Sequence, residues 1–227
     1  MRASHLQLAY TQVTLCDQGP SGAVGAVSLR FIRNEGLKYS DVENKAVRDT
    51  YRLGTRSEQL SGAGKTMCDW EGAAADADFL VINRGLHFHT DDTKLRDELN
   101  STFNVLNALA TRRNSSARGP IKSILYRGTH AAIPNCSRLP DPLPRPWQFP
   151  DGYVSPFGWE RLERHNKIAH ALVGALPEPF SFMDTYYATS LRPGGRRGGL
   201  GKVSDCVHFC LPGAMDEWSR LMLALWT

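Results

Sequence analysis

The sequence predicts an α/β protein whose mainly parallel sheet carries helices on both faces. Three observations lead there. Short apolar runs at 78–83, 121–127 and 180–187 have the length and edges of strands, and helix-spaced apolar residues stand between them. The 227 residues suit one such domain spanning 1–227, with room for a long loop insertion. Strands separated by helices pair in parallel, because each crossover returns the chain to the same end of the sheet. With 41% hydrophobic and 22% charged residues the composition is that of a globular protein, which excludes a disordered tail or a fibrous array. A net charge of +4 from 27 basic and 23 acidic residues is too small and scattered to argue for nucleic acid. A mildly basic surface suits anionic glycans equally well.

In chain order, residues 2–16 read as an amphipathic helix, with Leu6, Leu8, Ala9, Val13 and Leu15 among polar positions, and Asp17-Gln-Gly-Pro20 breaks it. Ala23 to Ile32 is strand-like and is expected to join the parallel sheet, and a polar span follows to about residue 75. Asp78-Phe-Leu-Val-Ile-Asn83 makes a short buried strand that ends sharply at Asn83-Arg84-Gly85. Thr90 or Asp91 can cap a helix whose Leu95, Leu99, Phe103, Leu106 and Leu109 recur at three and four, stopping before Gly119-Pro120. Ile121 to Arg127 is the next strand. The prolines between Ala131 and Pro156 forbid regular structure, so 131–156 reads as a proline-rich surface loop. A helix from about Phe157 to Leu176, a strand from Phe180 to Tyr187, the glycine-rich Pro193 to Gly201 and a helix from Asp216 to Trp226 complete the chain. There is no internal repeat.

No stretch of about 18 apolar residues occurs, and the first sixteen residues lack the charged-then-apolar order of a signal peptide. An anchor, if the whole protein has one, lies outside this sequence. Five cysteines and sequons at Asn100, Asn114 and Asn135 have meaning only in a secretory lumen.

The chemistry concentrates in Ser204-Asp205-Cys206-Val207-His208-Phe209-Cys210-Leu211-Pro212-Gly213. In a turn, an Asp three residues before a His can fix one imidazole nitrogen while the other deprotonates a hydroxyl. Taken alone the pattern is more often a solvated loop pair. Its surroundings decide otherwise, because Asp-Cys-x-His-x-Cys-x-Pro-Gly before a helix with an early Trp, here Trp218, resembles the last block of the PC-esterase family. That family is the trichome-birefringence-like branch of the SGNH esterases and acetyltransferases. Arg30-Phe-Ile-Arg-Asn34, Asp78 to Gly85, Tyr126-Arg127 with Cys136, Trp159 with Asn166-x-Ile-Ala169, and Asp184-x-Tyr with Leu191-Arg-Pro193 resemble it in the same order.

The resemblance implies an SGNH-hydrolase-like three-layer α/β/α fold and the transfer or hydrolysis of O-acetyl groups on a glycan in the Golgi lumen or outside the cell. The partners are then a glycan acceptor and an acetyl donor, with no cofactor. His208 would be the general base, Asp205 its orienter, and Asn83 with Gly85 would lie near the oxyanion site; Asn83 can equally be a strand terminator. Arg127 would bind a polar substrate or pair with an acid, and His87 would touch substrate or solvent. The family pattern also pairs Cys136 with Cys206.

The sequence departs from the family in two respects: the Asp-Gly-His that follows the family's Arg-Pro is replaced by Gly194-Gly-Arg-Arg-Gly-Gly199, and the first block is missing. The family's Gly-Asp-Ser block does not occur, and Arg2 followed by a helix to Cys16 looks like its remainder, which puts the nucleophile before Met1. Ser4 is the one nearby substitute, without the tight turn a nucleophile needs. Two function classes therefore stand: a glycan O-acetyltransferase or acetylesterase, and a non-catalytic glycan-binding relative. Gly62-Ala-Gly-Lys65-Thr66 lacks the first glycine and the preceding strand of a phosphate loop, His87 and His89 have no third metal ligand nearby, and the Gly/Arg-rich 194–199 reads as a solvated loop.

Overall fold

The computed structural model describes residues 10–18, 24–32, 61–62, 65–66, 74–86, 91–114, 116–117, 119–155, 157–199, 204–210 and 212–226. The chain divides into two compact units, Met1–Asp76 and Ala77–Thr227.

In the first unit β1 (Tyr10–Gln18) pairs antiparallel with β2 (Val24–Ile32), from Tyr10 opposite Ile32 to Gln18 opposite Val24. The short β3 (Ser61–Gly62) and β4 (Lys65–Thr66) pair likewise. Two expectations are corrected here. Residues 10–16 are strand, not helix, and 24–32 pairs in its own two-stranded sheet instead of joining the parallel one. The run Tyr10-Thr-Gln-Val-Thr-Leu-Cys16 favours extended backbone, since β-branched and aromatic residues lose little freedom there. A glycine-proline break between two nine-residue strands makes neighbour pairing the short route. Residues 2–9 of the expected helix lie outside the described residues.

The second unit holds the parallel sheet, in the order β5 (Phe79–Ile82), β6 (Ser123–Arg127), β7 (Phe180–Met183). Phe79 faces Ser123, and Ile124 faces Phe180. Alternation along each strand then puts Ile82, Ile124, Tyr126, Phe180 and Phe182 on one face. That face packs α1 (Asp92–Asn114), whose Phe103 meets Tyr126 and Phe180 edge-on at 5.7 and 6.2 Å. It also packs α2 (Leu162–Gly174), whose His170 lies 4.9 Å from Phe182. Asp91 starts α1 by accepting the Lys94 N–H at 2.9 Å. The opposite face meets α4 (Ala214–Trp226): Trp226 packs tilted against Phe79 with ring centroids 4.9 Å apart, and its indole N–H donates to the Ser123 hydroxyl at 3.0 Å. The architecture is thus α/β with helices on both faces of a parallel sheet, as an SGNH-like three-layer fold requires.

β7 stops early because the Asp184 carboxylate accepts the N–H groups of Tyr186 and Tyr187, opening the short α3 (Tyr186–Ser190). Between β6 and α2 the proline-rich loop has one 3₁₀ turn, Cys136–Arg138, and is stitched to α3 by Leu143 N–H to Leu191 O and Trp147 N–H to Ser190 O. The glycine-rich segment is not a solvated loop. It forms β8 (Arg196–Gly199), antiparallel to β9 (Ser204–Phe209).

Leu99 is fully buried at the centre of α1. Leu99→Ala should lower the unfolding free energy by ~2–5 kcal/mol, read as a drop in the urea midpoint.

Candidate active site

The loops that follow the three parallel strands are tied to one another, and ligands of open α/β sheets gather at that end. Asn83, just past β5, donates its side-chain amide to the Arg127 carbonyl at 2.7 Å and to the Thr129 hydroxyl at 3.2 Å. Thr129 in turn exchanges both backbone bonds with the Asn166 side chain, its N–H donating at 2.8 Å and its carbonyl accepting at 2.7 Å. Thr185, past β7, donates to the Gly128 carbonyl at 2.6 Å, and the buried Tyr126 hydroxyl donates to the Arg84 carbonyl at 2.9 Å. Gly85 is glycine for want of room, since a Cβ there would stand 2.7 Å from the Thr129 Cβ.

Onto this platform the chain folds back as β9. Cys206 is joined to Cys136 by a disulfide with a Cα separation of 5.5 Å, and the Cys206 carbonyl accepts the Ile133 N–H. Arg196 faces Phe209 and Gly198 faces Asp205, so two steps along β8 answer four along β9. Two extra residues bulge the strand, which is how Asp205 and His208, three apart, reach the same side. The Asp205 carboxylate receives His208 Nδ1 at 2.9 and 3.0 Å and the His208 backbone N–H at 3.1 Å. A carboxylate only accepts, so Nδ1 carries the hydrogen and Nε2 presents a lone pair. Partial burial works against the Asp205 charge, but the hydrogen bonds and positive field of His208, with the Val207 N–H, outweigh it and hold its pKa below the ordinary value.

Two residues behind the pair escaped the sequence reading. His130 stacks on Trp218 at 5.4 Å and holds the Val207 carbonyl at 3.1 Å. Burial, helped by the charges of Arg127 and Arg196, pushes its pKa down to about 3, so the ring is neutral and Nε2–H is the donor. Arg196 donates Nη1 to the Cys206 and Val207 carbonyls at 3.1 and 3.4 Å and Nη2 to the Thr189 carbonyl at 3.0 Å, with its guanidinium 4.4 Å from the Phe209 ring.

The family match falls on the part of the chain that carries Asp205 and His208. Residues 156–225 fit the family described as "PC-Esterase: GDSL/SGNH-like Acyl-Esterase family found in Pmr5 and Cas1p". Through this segment the chain is similar to the PC-esterase family. Protein trichome birefringence-like 42 of Arabidopsis thaliana is 32% identical over 59 residues, covering 24% of this chain and 16% of the relative. Xyloglucan O-acetyltransferase 4 of Populus trichocarpa is 35% identical over 72 residues, 29% of this chain and 16% of the relative. Xyloglucan O-acetyltransferase 2 of Arabidopsis thaliana is 27% identical over 90 residues, 32% and 22% of the two lengths. The matched segments thus span a small share of these relatives. No solved structure gives a significant match.

Of the residues that the PC-esterase resemblance singled out, Asp205 and His208 stand together. Asn83 and Gly85 stand against Thr129, one residue from His130, which bonds the Val207 carbonyl. Arg127 lies 5.0 Å over the Trp218 ring, and burial lowers its pKa. His87 and Ser4 fall outside the described residues. Cys210 has a free, exposed thiol. His130 carried no motif, and Arg196 was hidden because glycine neighbours make an arginine look solvated.

The buried neutral His130 sets a pH dependence. Its folded pKa of about 3 lies below the ordinary 6.5, so as pH falls through that window the unfolded chain takes up a proton that the folded chain refuses, and stability drops. From this group alone the unfolding free energy should fall by up to ~1.4 kcal/mol per pH unit. Urea titrations between about pH 4.5 and 6.5 read that slope. His130→Gln should flatten it.

Proposed function

We infer that the chain works in the transfer or removal of O-acetyl groups on a glycan by a Ser-His-Asp type mechanism, with His208 as general base and Asp205 as its orienter. The carrying observation is the carboxylate–imidazole contact of 2.9 Å, which leaves Nε2 for a hydroxyl, on a strand fixed to the loops that follow a parallel sheet. In the reaction His208 Nε2 takes the proton of the attacking hydroxyl as its oxygen bonds the acetyl carbon. It then returns the proton to the leaving oxygen as the ester C–O bond breaks. A sugar hydroxyl as final acceptor makes the reaction a transfer; water makes it hydrolysis. Asn83 and Gly85 belong to the oxyanion side: exchange of the longer Asn83 bond, to Thr129, would turn one amide hydrogen to the developing charge. Arg127 and His87 are assigned to substrate. The attacking hydroxyl is not assigned, since no Gly-Asp-Ser stands in the 227 residues.

The names of two relatives, xyloglucan O-acetyltransferases, favour a polysaccharide acceptor. The Cys136–Cys206 bridge favours an oxidising compartment, and we assign the protein to the secretory pathway, in the Golgi lumen or outside the cell. Among the described residues no helix is long and apolar enough to cross a membrane.

The test is acetyl release from an aryl acetate and acetyl exchange with a xyloglucan oligosaccharide, together with fluorophosphonate labelling to locate a reactive serine. His208→Ala should cut kcat by about 10³-fold or more and Asp205→Asn by about 10²–10⁴-fold, with folding unchanged by circular dichroism. Turnover that persists in His208→Ala would sink the assignment. Glycan binding with no turnover in the parent chain would favour the non-catalytic reading.

A further inference from the structure

Between the proline-rich loop, α2 and α3 lies a pocket of ≈ 200 Å³ that the mechanism does not use. Trp147, Gln148, Glu163, Tyr186, Tyr187 and Ser190 line it. Drug-sized ligands need roughly 300–1,000 Å³, so this space suits a single ring. Three aromatic side chains and three short polar ones form its wall. Aromatic faces pack against the C–H face of a sugar ring, while carboxylate, amide and hydroxyl groups bond its hydroxyls. Tyr187 is 60% exposed, with little packing reason to be aromatic there. Burial and the nearby Glu163 charge push the Tyr186 pKa to about 12, so its hydroxyl remains a hydrogen-bond donor. The Trp147 indole N–H is buried with no hydrogen-bond partner among the described residues, so Trp147 serves the pocket by its ring face.

Both walls reach back to the catalytic strand. Tyr186 belongs to the buried cluster that contains Val207, the neighbour of His208, and Trp147 packs on the cluster of Cys136 and Cys206. The Trp147 backbone N–H donates to the Ser190 carbonyl at 3.0 Å, and Arg196 holds the Thr189 carbonyl and the carbonyls of Cys206 and Val207 together. The proline-rich loop thus has a task. It closes one side of a ring-sized space fixed to the strand that bears the base.

We propose that this pocket is a glycan subsite that takes one neutral sugar ring of the acceptor, with Tyr187 and Trp147 as its stacking surface and Glu163 as a hydroxyl acceptor. Glu163, whose Oε1 accepts from Lys167 Nζ at 2.6 Å, is the one charged group among the residues that line it; its carboxylate can accept from a sugar hydroxyl but not from the carboxylate of a uronate ring, which has no hydrogen to give. The subsite gives the proposed acetyl chemistry its substrate class and rests on that reading, but binding can be measured without turnover.

Calorimetric titration of the whole chain with a non-acetylated xyloglucan oligosaccharide, and separately with an oligogalacturonate, tests it. The neutral oligosaccharide should bind saturably and at least tenfold tighter than the acidic one. Tyr187→Ala and Glu163→Gln, both at exposed side chains and checked by thermal melting, should each weaken it at least tenfold. His208→Ala should bind as the parent does. No saturation with the neutral sugar, equal binding by Tyr187→Ala, or preference for the uronate overturns the subsite. Binding through Tyr187 without any acetyl turnover keeps the subsite and removes the catalytic reading; turnover indifferent to Tyr187→Ala does the reverse.

Discussion

A buried guanidinium holds the working end of this molecule in place. Arg196 is almost wholly enclosed, and a charge taken out of water is costly unless hydrogen bonds replace the lost solvent. No carboxylate serves it among the bonds described; the carbonyls of Thr189, Cys206 and Val207 and the face of Phe209 do. Burial lowers its pKa to about 10, which still leaves the group charged at neutral pH. One cation therefore draws together the end of α3 and the bulged strand that carries Asp205 and His208, where an apolar residue would leave three carbonyls to find other donors.

The second constraint is the parallel sheet itself. Parallel strands deliver their following loops to one end, and here those loops are cross-tied by side chains of the right length: Asn83 to Thr129, Asn166 to Thr129, Thr185 to Gly128. Each tie satisfies backbone groups that a tight, half-buried loop would otherwise leave unpaired. Gly85 fits the same logic, since its missing side chain is what lets the β5 loop approach Thr129.

These facts explain what was legible in the sequence. Strands 78–83, 121–127 and 180–187 and the α1 spacing were readable because burial against a sheet imposes a period, and Asp-x-x-His because its neighbours match a family block. The hairpin of Tyr10–Gln18 and Val24–Ile32 was missed at its first strand, where scattered leucines mimic a helix while threonine, valine and tyrosine favour extension. Arg196 and His130 were not legible at all. Their roles depend on carbonyls 7 to 77 residues away, and backbone acceptors leave no trace in residue identity.

The last step concerns how an exposed side chain can be precise. His208 is largely in solvent, its side chain 64% exposed, so packing cannot choose its rotamer. Orientation comes instead from the backbone beneath it. Cys206 and Val207 are buried, one through the disulfide and both through carbonyls held by Arg196, with His130 adding a second hold on Val207. Asp205 then grips the His208 backbone N–H and its ring with one carboxylate, so the angle of the imidazole follows from the strand and not from its own contacts. The bulge separates the two duties along a few consecutive residues: Cys206 and Val207 are held in the interior, and the imidazole that Asp205 orients stays largely in solvent.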